Sequence, residues 1–447
     1  MAGGTFKSSS PKVRPGTYVN VINGRQPAAS ESQRGVVAIP LIGYDWGPRE
    51  EWIRLTAESP DSGMGKLGRS VYDENPHMML LRLILLNATE VYAFIPDGGE
   101  KAKGSATVGE GIVEVCAKYA GSLGNSISVV SVENPLGGFD VSVMLGSSEV
   151  ELFEQAGTLG DLSGSSYIEV AGAAEGKLAA FAGVTLVGGS DIEEGLNASI
   201  SKFLDMSEKV RFNCMAFPTE DKSLITALTT KIRYIRNTIG WKCQAAVANT
   251  AADYEGIYNL TNAFEFEGKR LDAVQASVWL AGAAAGADYA TSLTYAPVTG
   301  ATAVTGEKSN EESVQAIQAG ETFFSVDEAG NVILEYDVNS KVTFAKDDPV
   351  DIHKGRPCRV YDTFANELLV TFPPGRFDNS PDGWSVMEGL GRAMLKAYED
   401  DGAIKDVSLD DDFKVDRGKS VGDSVYINVG IQAVDSAEKY YFTVVAR

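Results

Sequence analysis

Residues 76–95 read PHMMLLRLILLNATEVYAFI, and this stretch decides the fold class. Its first part, 76–87, is apolar nearly all round and begins with proline, a pattern that predicts a buried helix. Its last part, 90–95, is a β-prone run that predicts a strand. Upstream, residues 35–42 (GVVAIPLI) form a short apolar run typical of a buried strand. A strand, a helix and a strand in succession predict an α/β layered core.

The same alternation returns further along the chain, after residue 190. Residues 192–206 and 219–239 predict helices, and residues 210–217 and 241–248 predict strands. Residues 271–286 (LDAVQASVWLAGAAAG) predict a helix of small apolar residues, which would let another element approach closely. The α/β core therefore has two parts that are separated in sequence.

Between these two parts, residues 98–189 are rich in glycine and serine and contain short alternating runs. Residues 126–132, 139–145 and 167–170 are examples, with turn signals such as Gly137-Gly138 between them. Regularly spaced short strands predict a small all-β domain. Because α/β patterning resumes afterwards, we interpret this domain as an insertion into the core.

A third unit follows residue 309. Residues 321–344 predict a β-hairpin, 356–372 and 381–400 predict helices, and 423–434 and 439–446 predict β-rich segments. The interpretation is an α/β core with an inserted all-β domain and a C-terminal α/β domain. The division is: N-terminal arm 1–34, core 35–97 and 190–345, inserted β domain 98–189, C-terminal domain 346–434, and C-terminal arm 435–447.

The strongly negative net charge of the chain restricts the kinds of partner that it can bind directly. The chain has 447 residues, of which 44% are hydrophobic, and a formal charge of −22. A surface this negative repels phosphate backbones and anionic lipid, so we expect no direct binding to nucleic acid or membranes. Neither a membrane-spanning run nor a secretory signal is predicted. The four cysteines form no C-x-x-C pair, which indicates reduced, mostly buried thiols in a protein made in a cytosol.

Motifs that resemble catalytic sites lack their required context. Residues 63–68 (GMGKLG) match G-x-G-x-x-G but follow turn residues rather than a buried strand, which favours an ordinary loop. His77 stands in an apolar helix, where a packed or capping role is favoured, and His353 stands in a polar connector, where exposure is expected. The sequence therefore predicts no catalytic residue, cofactor or metal site, although a cytosolic α/β enzyme stays the alternative.

The two ends of the chain carry further signals. The first 35 residues contain five basic residues and one acid, a balance of +4, while residues 399–412 contain seven acids and one base, a balance of −6. The two segments could attract each other within one subunit or between neighbours. Residues 17–22 (TYVNVI) and 440–445 are β-prone, and alone the first has nothing to pair with. Such terminal strands either complete their own sheet or are donated to another chain.

Nine short segments are similar in order and spacing to those of the contractile tail sheath proteins of phages, phage-like elements and contractile bacteriocins of Gram-positive bacteria. They are MAGGTF and VRPGTY near the N-terminus, AKY followed by GNSISV at 117–129, VWLAG with SLTY at 278–295, GAI at 402–404, DSVYI at 423–427, and VDSAEKYYFTV at 434–444.

This resemblance implies a structural subunit rather than an enzyme, one that stacks as rings around an inner tube. Two arms would add strands to neighbouring subunits and complete their C-terminal sheets, while the inserted domain faces outward. The donated residues would be Thr17, Tyr18, Val19, Val21 and Ile22 in one arm and Tyr440, Tyr441, Phe442, Thr443, Val444 and Val445 in the other. The receiving sheet would include Val425, Ile427 and Val429.

The resemblance also implies contraction from a metastable extended lattice, which drives the tube through a bacterial envelope. Expected partners are further copies of the chain, the inner tube protein, and baseplate and tail terminator proteins. Arg392 and Lys396, one turn apart on the helix predicted over 381–400, are hypothesised to face an acidic tube, the alternative being a solvated helix face. We expect assembly in the bacterial host cytoplasm and release in a phage tail or bacteriocin particle; a non-contractile scaffold is the remaining alternative.

Overall fold

The computed structural model describes residues 3–4, 17–18, 34–108, 111–172, 175–192 and 194–446. At the N-terminus, β1 (Gly3–Gly4) pairs in parallel with β2 (Thr17–Tyr18). The first part of the core then contains β3 (Val36–Pro40), β4 (Trp52–Thr56), α1 (Met64–Leu67), α2 (Pro76–Leu85) and β5 (Glu90–Phe94). The strand, helix and strand predicted over 35–42, 76–87 and 90–95 are thus confirmed.

The predicted insertion is all-β and forms two sheets. Its strands are β6 (Lys103–Val108), β7 (Gly111–Ala117), β8 (Ile127–Glu133), β9 (Phe139–Leu145), β10 (Ser148–Ala156), β11 (Ile168–Val170) and β12 (Phe181–Thr185). One sheet has the order β10-β9-β8-β12 and the other β11-β7-β6. Antiparallel bridges join Glu100 to Ser190 and Lys103 to Val187, so the chain enters and leaves the insertion side by side.

The second part of the core completes one six-stranded sheet. It contains α3 (Leu196–Ser207), β13 (Cys214–Ala216), α4 (Lys222–Tyr234), β14 (Gln244–Ala248), β15 (Ile257–Leu260), β16 (Ala263–Phe266), β17 (Lys269–Arg270), α5 (Ala273–Gly286), β18 (Ala301–Thr305), α6 (Asn310–Gln318), β19 (Phe324–Val326) and β20 (Val332–Leu334). The sheet order is β15-β14-β13-β3-β5-β4, parallel except for the edge strand β4. The strand predicted over 210–217 is shorter than expected and forms only β13. The helix predicted over 192–206 starts later, as α3, because Gly195 before it has a left-handed backbone conformation.

Helices cover both faces of this sheet because its strands are apolar on both sides. Val37 and Ile39 contribute to one apolar cluster, with residues of α2 and α5, while Ala38 contributes to the other, with residues of α3 and α4. A Cβ at Gly282 would lie 2.7 Å from the carbonyl oxygen of Ile84. The small-residue helix therefore permits the close approach that the sequence predicts.

The C-terminal unit consists of two long helices and four short strands. They are α7 (Gly355–Thr371), α8 (Pro381–Asp400), β21 (Ile404–Lys405), β22 (Phe413–Val415), β23 (Ile427–Val429) and β24 (Gln432–Ala433). Both helices agree with the prediction. The β-rich segment predicted over 423–434 contains two separate strands, β23 and β24, which belong to different two-stranded sheets. The chain redirects at Gly430, whose N–H donates to the Asp412 carbonyl.

Candidate assembly surface

The C-terminal arm leaves the body of the subunit with its apolar side chains exposed. The β segment predicted over 439–446 forms no strand within the described chain, where the final strand ends at Ala433. Tyr441 is 90% exposed, Phe442 85% and Val444 91%. In an extended segment successive side chains point to opposite sides, so both faces of this arm are apolar. A run of this kind is typical of an interaction site rather than of a solvated tail.

The N-terminal arm differs from the sequence prediction where it is described. Thr17 and Tyr18 pair with Gly3 and Gly4, so the expectation that this strand has nothing of its own to pair with is wrong for these two residues. This pairing uses the backbone hydrogen-bonding groups along one edge of the two-residue strand Thr17–Tyr18. The other predicted donor residues, Val19, Val21 and Ile22, lie outside the described residues.

The root of the N-terminal arm is fixed by Arg34. Its Nε and Nη2 atoms donate to the carbonyl oxygens of Ala287 and Ala284, both at 2.8 Å, and Nη1 donates to Thr363 Oγ1 at 3.1 Å. The carbonyls lie at the C-terminal end of α5, where a cation is favourable. Arg34 therefore anchors the arm to its own subunit, and one of the five basic residues assigned to the arm is not available to a neighbour.

Two of the three residues predicted for a receiving sheet lie in a strand. Strand β23, which contains Ile427 and Val429, pairs antiparallel with β22, and Val425 lies before the strand rather than in it. Within the described chain each of these two strands is paired on one side only. An exposed backbone edge of this kind is a template for a strand from another chain.

A separate apolar cluster supports this edge. It joins Phe364 of α7 and Leu395 of α8 with Phe413 of β22 and Ala433 of β24. Glu388 of α8, with a side chain only 8% exposed, accepts from the Val415 backbone N–H at 3.1 Å. The short strands are therefore held by α8, because two-stranded sheets are only marginally stable alone.

Buried ion pairs attach the C-terminal unit to the core. The Arg236 guanidinium donates to both carboxylate oxygens of Asp362 at 2.6 and 2.9 Å. Arg359 donates to Asp337 at 2.7 Å, and both side chains are 1% exposed. Burial alone would lower the pKa of Arg236, but the adjacent Asp362 carboxylate raises it well above its usual range. These two side-chain pairs join α7 to the core.

The two residues hypothesised to contact a tube are on one side of α8. Arg392 lies 4.0 Å from Glu388, which Arg417 also approaches at 3.6 Å. Lys396 is half-exposed and donates to Asp400 at 2.6 Å and to Glu399 at 3.3 Å. Both cations already have carboxylate neighbours on their own helix, which reduces the positive field that they present to a partner.

The sites that resembled enzyme motifs have structural explanations. In the 63–68 segment, α1 is four residues long and ends at Gly68, where φ is 70° and a Cβ would lie 2.5 Å from Trp46. His77 Nε2 bonds to the Ile42 carbonyl at 2.8 Å, in agreement with a packed role. The expectation of exposure for His353 is wrong, because its ring is half-buried against Phe344.

The described residues contain neither a candidate metal centre nor a candidate membrane span. Over the described ranges, no group of three or more histidine, cysteine or acidic residues could hold a metal ion. No helix in the same ranges is long and apolar enough to cross a membrane. All four cysteines are free, and Cys214, Cys243 and Cys358 are buried.

The sequence did not predict the charged residues that join the N-terminal arm and the C-terminal unit to the core. Arg34, Arg236 and Asp362 each contact a segment far away in the sequence, so no local spacing connects them. The one available signal is the position of Arg236, directly after Ile235 at the end of an amphipathic helix. Arg236 is buried within a short π-helical turn over Ile235–Ile239.

Three family models match most of the chain from residue 97 onward. The model of the phage tail sheath protein β-sandwich domain matches residues 97–191, that of the central domain matches 194–340, and that of the C-terminal domain matches 347–447. The phage-like element PBSX protein XkdK of Bacillus subtilis (strain 168) is 31% identical over 474 aligned residues, covering 99% of each chain.

Solved structures agree with this match. The crystal structure of a sheath tail protein from Desulfitobacterium hafniense has a TM-score of 0.81 at 30% identity, covering 96% of this chain and 99% of that chain. The anti-feeding prophage helical sheath in its contracted state has a TM-score of 0.57 at 11% identity, covering 98% of this chain and 99% of that chain. At that identity the second likeness concerns the fold alone.

Proposed function

Because the chain belongs to the phage tail sheath protein family, and is therefore a structural subunit of a contractile sheath, we propose that it stacks as rings around an inner tube. Contraction from a metastable extended lattice would then drive the tube through a bacterial envelope. Support comes from the anti-feeding prophage protein, which shares the fold and forms a helical sheath with a contracted state. No nucleotide is needed if the free energy is stored when the lattice assembles.

The exposed C-terminal arm carries the proposal. Its five large apolar side chains are Tyr440, Tyr441, Phe442, Val444 and Val445, each at least 69% exposed. Burying such a side chain contributes about 1.5–3 kcal/mol. Burial of the arm against a neighbour would therefore contribute substantially to the free energy of association. In this proposal residues Tyr440 to Val445, including Thr443, add as a strand to the free edge of a neighbour's β22–β23 sheet.

The N-terminal arm is proposed as the second donor, through Thr17, Tyr18, Val19, Val21 and Ile22. The ladder between Thr17–Tyr18 and Gly3–Gly4 uses one strand edge, and among the described residues the opposite edge has no partner, so we propose that a neighbour pairs there. Its anchor, Arg34, holds the base of the arm on α5 and α7. A donated strand held at its base transmits force between subunits through backbone hydrogen bonds.

Contact with the tube is assigned to the α8 surface that carries Arg392 and Lys396. Their existing ion pairs with Glu388, Glu399 and Asp400 make this a weak electrostatic contact, which suits a tube that must slide. Reversing both charges is expected to weaken assembly on the tube without unfolding the subunit. Unchanged assembly of the charge-reversed protein would rule out this contact.

The remaining assignments follow from the same proposal. The core spans 35–97 and 190–345, with the inserted domain at 98–189 facing outward and the C-terminal domain at 346–434. We propose baseplate and tail terminator proteins as end partners, assembly in the bacterial host cytoplasm, and no catalytic step.

A matched pair of substitutions tests the donated strand. Phe442 in the arm and Leu136 at the tip of the β8–β9 hairpin are both 85% exposed in the subunit. Phe442→Asp and Leu136→Asp should therefore leave the subunit folded to the same extent. In negative-stain electron microscopy with the tube protein, only Phe442→Asp should abolish striated tubes wider than the bare tail tube.

Two results would contradict the proposal. Sheaths formed normally by Phe442→Asp would exclude a buried role for the arm, and small oligomers of the unaltered protein under every condition would exclude the polymer. Acid or heat treatment of assembled tubes then separates a contractile sheath from a static scaffold, since only a metastable lattice shortens and widens irreversibly.

A further inference from the structure

The last residue before the exposed part of the C-terminal arm is held unusually firmly. The Glu438 side chain is 7% exposed, whereas Tyr440, two residues later, is 69% exposed. A buried carboxylate is costly unless hydrogen-bond donors surround it. Here Oε1 accepts from Thr294 Oγ1 at 2.7 Å and from Ser292 Oγ at 3.1 Å, and Oε2 accepts from Lys354 Nζ.

Lys354 supplies the positive charge that balances the Glu438 carboxylate. It stands at the N-cap of α7, its side chain is 7% exposed, and its ammonium also lies 3.1 Å from the Tyr336 hydroxyl and 3.4 Å from Asp435. Burial would lower the pKa of Lys354, but its hydrogen bonds to Glu438 and Tyr336 raise it. The ammonium therefore stays charged and paired.

The donors belong to a rigid part of the subunit. Thr294 Oγ1 also accepts from the Asp337 backbone N–H at 3.0 Å, and Asp337 in turn accepts from Leu293 N–H and from buried Arg359. Ser292 and Thr294 lie in the SLTY segment, and Glu438 lies in the VDSAEKYYFTV segment. Two sequence segments that are more than 140 residues apart thus form one site.

We propose that Glu438, bound by Ser292, Thr294 and Lys354, is a latch that fixes the point where the C-terminal arm leaves the subunit. The latch rests on the proposed function, in which this arm is donated to a neighbour. The proposed donated strand ends at Val445, seven residues after Glu438, and at about 3.3 Å per residue seven residues span roughly 23 Å. The receiving strand must lie within that distance of Glu438, so the latch limits which neighbouring subunit can be reached.

Trypsin provides a direct test on the unassembled full-length chain. Cleavage after Lys439 requires the adjacent Glu438 to leave its site, and it releases residues 440–447 as one peptide, which mass spectrometry quantifies. Ser292→Ala combined with Thr294→Val removes two donors without changing the cleaved sequence. We expect release about tenfold faster than from the unaltered chain, because hydrogen bonds to a charged group are among the stronger ones.

Two further variants complete the experiment. Glu438→Gln should also accelerate release, after correction for its cleavage rate in a synthetic peptide of residues 435–447. Asp435→Asn is the control, because Asp435 is 40% exposed and lies 3.4 Å from the same ammonium; its rate should stay within about twofold of the unaltered chain.

Release at the unaltered rate from the Ser292→Ala, Thr294→Val protein would overturn the latch, as would equal acceleration by Asp435→Asn. Sheath formation by the same proteins is scored separately by electron microscopy. A chain that never polymerises refutes the proposed function but leaves the proteolysis result intact.

Discussion

The buried pair between Arg236 and Asp362 makes a quantitative prediction about how the C-terminal unit is attached. The two side chains are 3% and 10% exposed, and they share two hydrogen bonds. Asp362→Asn keeps the shape but removes the negative charge. Arg236 then retains the Cys243 carbonyl at 2.9 Å and Glu255 at 3.7 Å, neither of which replaces a bidentate carboxylate.

The expected magnitude follows from burial. Breaking a buried pair by neutralising one partner costs about 3–5 kcal/mol, because an uncompensated charge stays in the interior. Arg54 and Glu90 form the control: this pair is also bidentate, through Nε at 2.5 Å and Nη2 at 2.8 Å, but the arginine is 60% exposed. Glu90→Gln should therefore cost no more than about 1 kcal/mol.

Urea unfolding of the unassembled chain measures both values, from the shift of the transition midpoint and a common m-value. Replacing the pair by Arg236→Met with Asp362→Leu should recover most of the lost free energy of unfolding, since no unpaired charge is left. Equal destabilisation by Asp362→Asn and Glu90→Gln would refute the reasoning, because burial would then make no difference.

Two further predictions concern packing and pH. A Cβ at Gly391 of α8 would lie 2.2 Å from the buried Phe413 ring, so Gly391→Ala should destabilise the C-terminal unit by about 1–3 kcal/mol. Gly389 has open space on the same helix, and Gly389→Ala should stabilise it by up to about 1 kcal/mol; calorimetry that shows the same sign for both would contradict the packing argument. Burial lowers the pKa of His77 and of His353 in the folded chain, so protons bind more readily to the unfolded chain and stability should fall as pH drops below about 6.5. His77→Gln should reduce this loss in urea titrations between about pH 7.5 and 5.5, and an unchanged pH dependence would exclude a role for His77.

Elements with strong periodicity were predictable from sequence. The helix 381–400 has an apolar face and a proline at its first turn, and its bounds agree with α8. Four of the five parallel strands, β3, β5, β13 and β14, lie within predicted apolar runs, whereas β15 was not predicted and β13 is shorter than its run. Local sequence patterning is sufficient to predict such elements, because one apolar helix face or one apolar run determines whether the element is buried.

Features that depend on distant partners were not predictable. The segment 439–446 has strand composition, but a strand needs an edge to pair with, and the described chain provides none at that place. The contacts of Glu438 with Lys354 and of Arg236 with Asp362 join segments that are 84 and 126 residues apart. Such pairs have no spacing signal, because only the folded topology brings their residues together.

The two ends of the inserted domain lie next to each other, which is the geometry that allows one domain to be exchanged for another. Glu100 and Ser190 face each other across one antiparallel bridge, so the two ends of the insertion are about one strand spacing, roughly 5 Å, apart. A domain whose own termini lie that close can be joined to the chain at the same bridges, provided that it also covers Trp46, on which Tyr119 and Tyr167 of the present domain pack. Selection can therefore exchange this domain, or an engineer can graft a cargo in its place, while the machinery of the core and the arms stays unchanged.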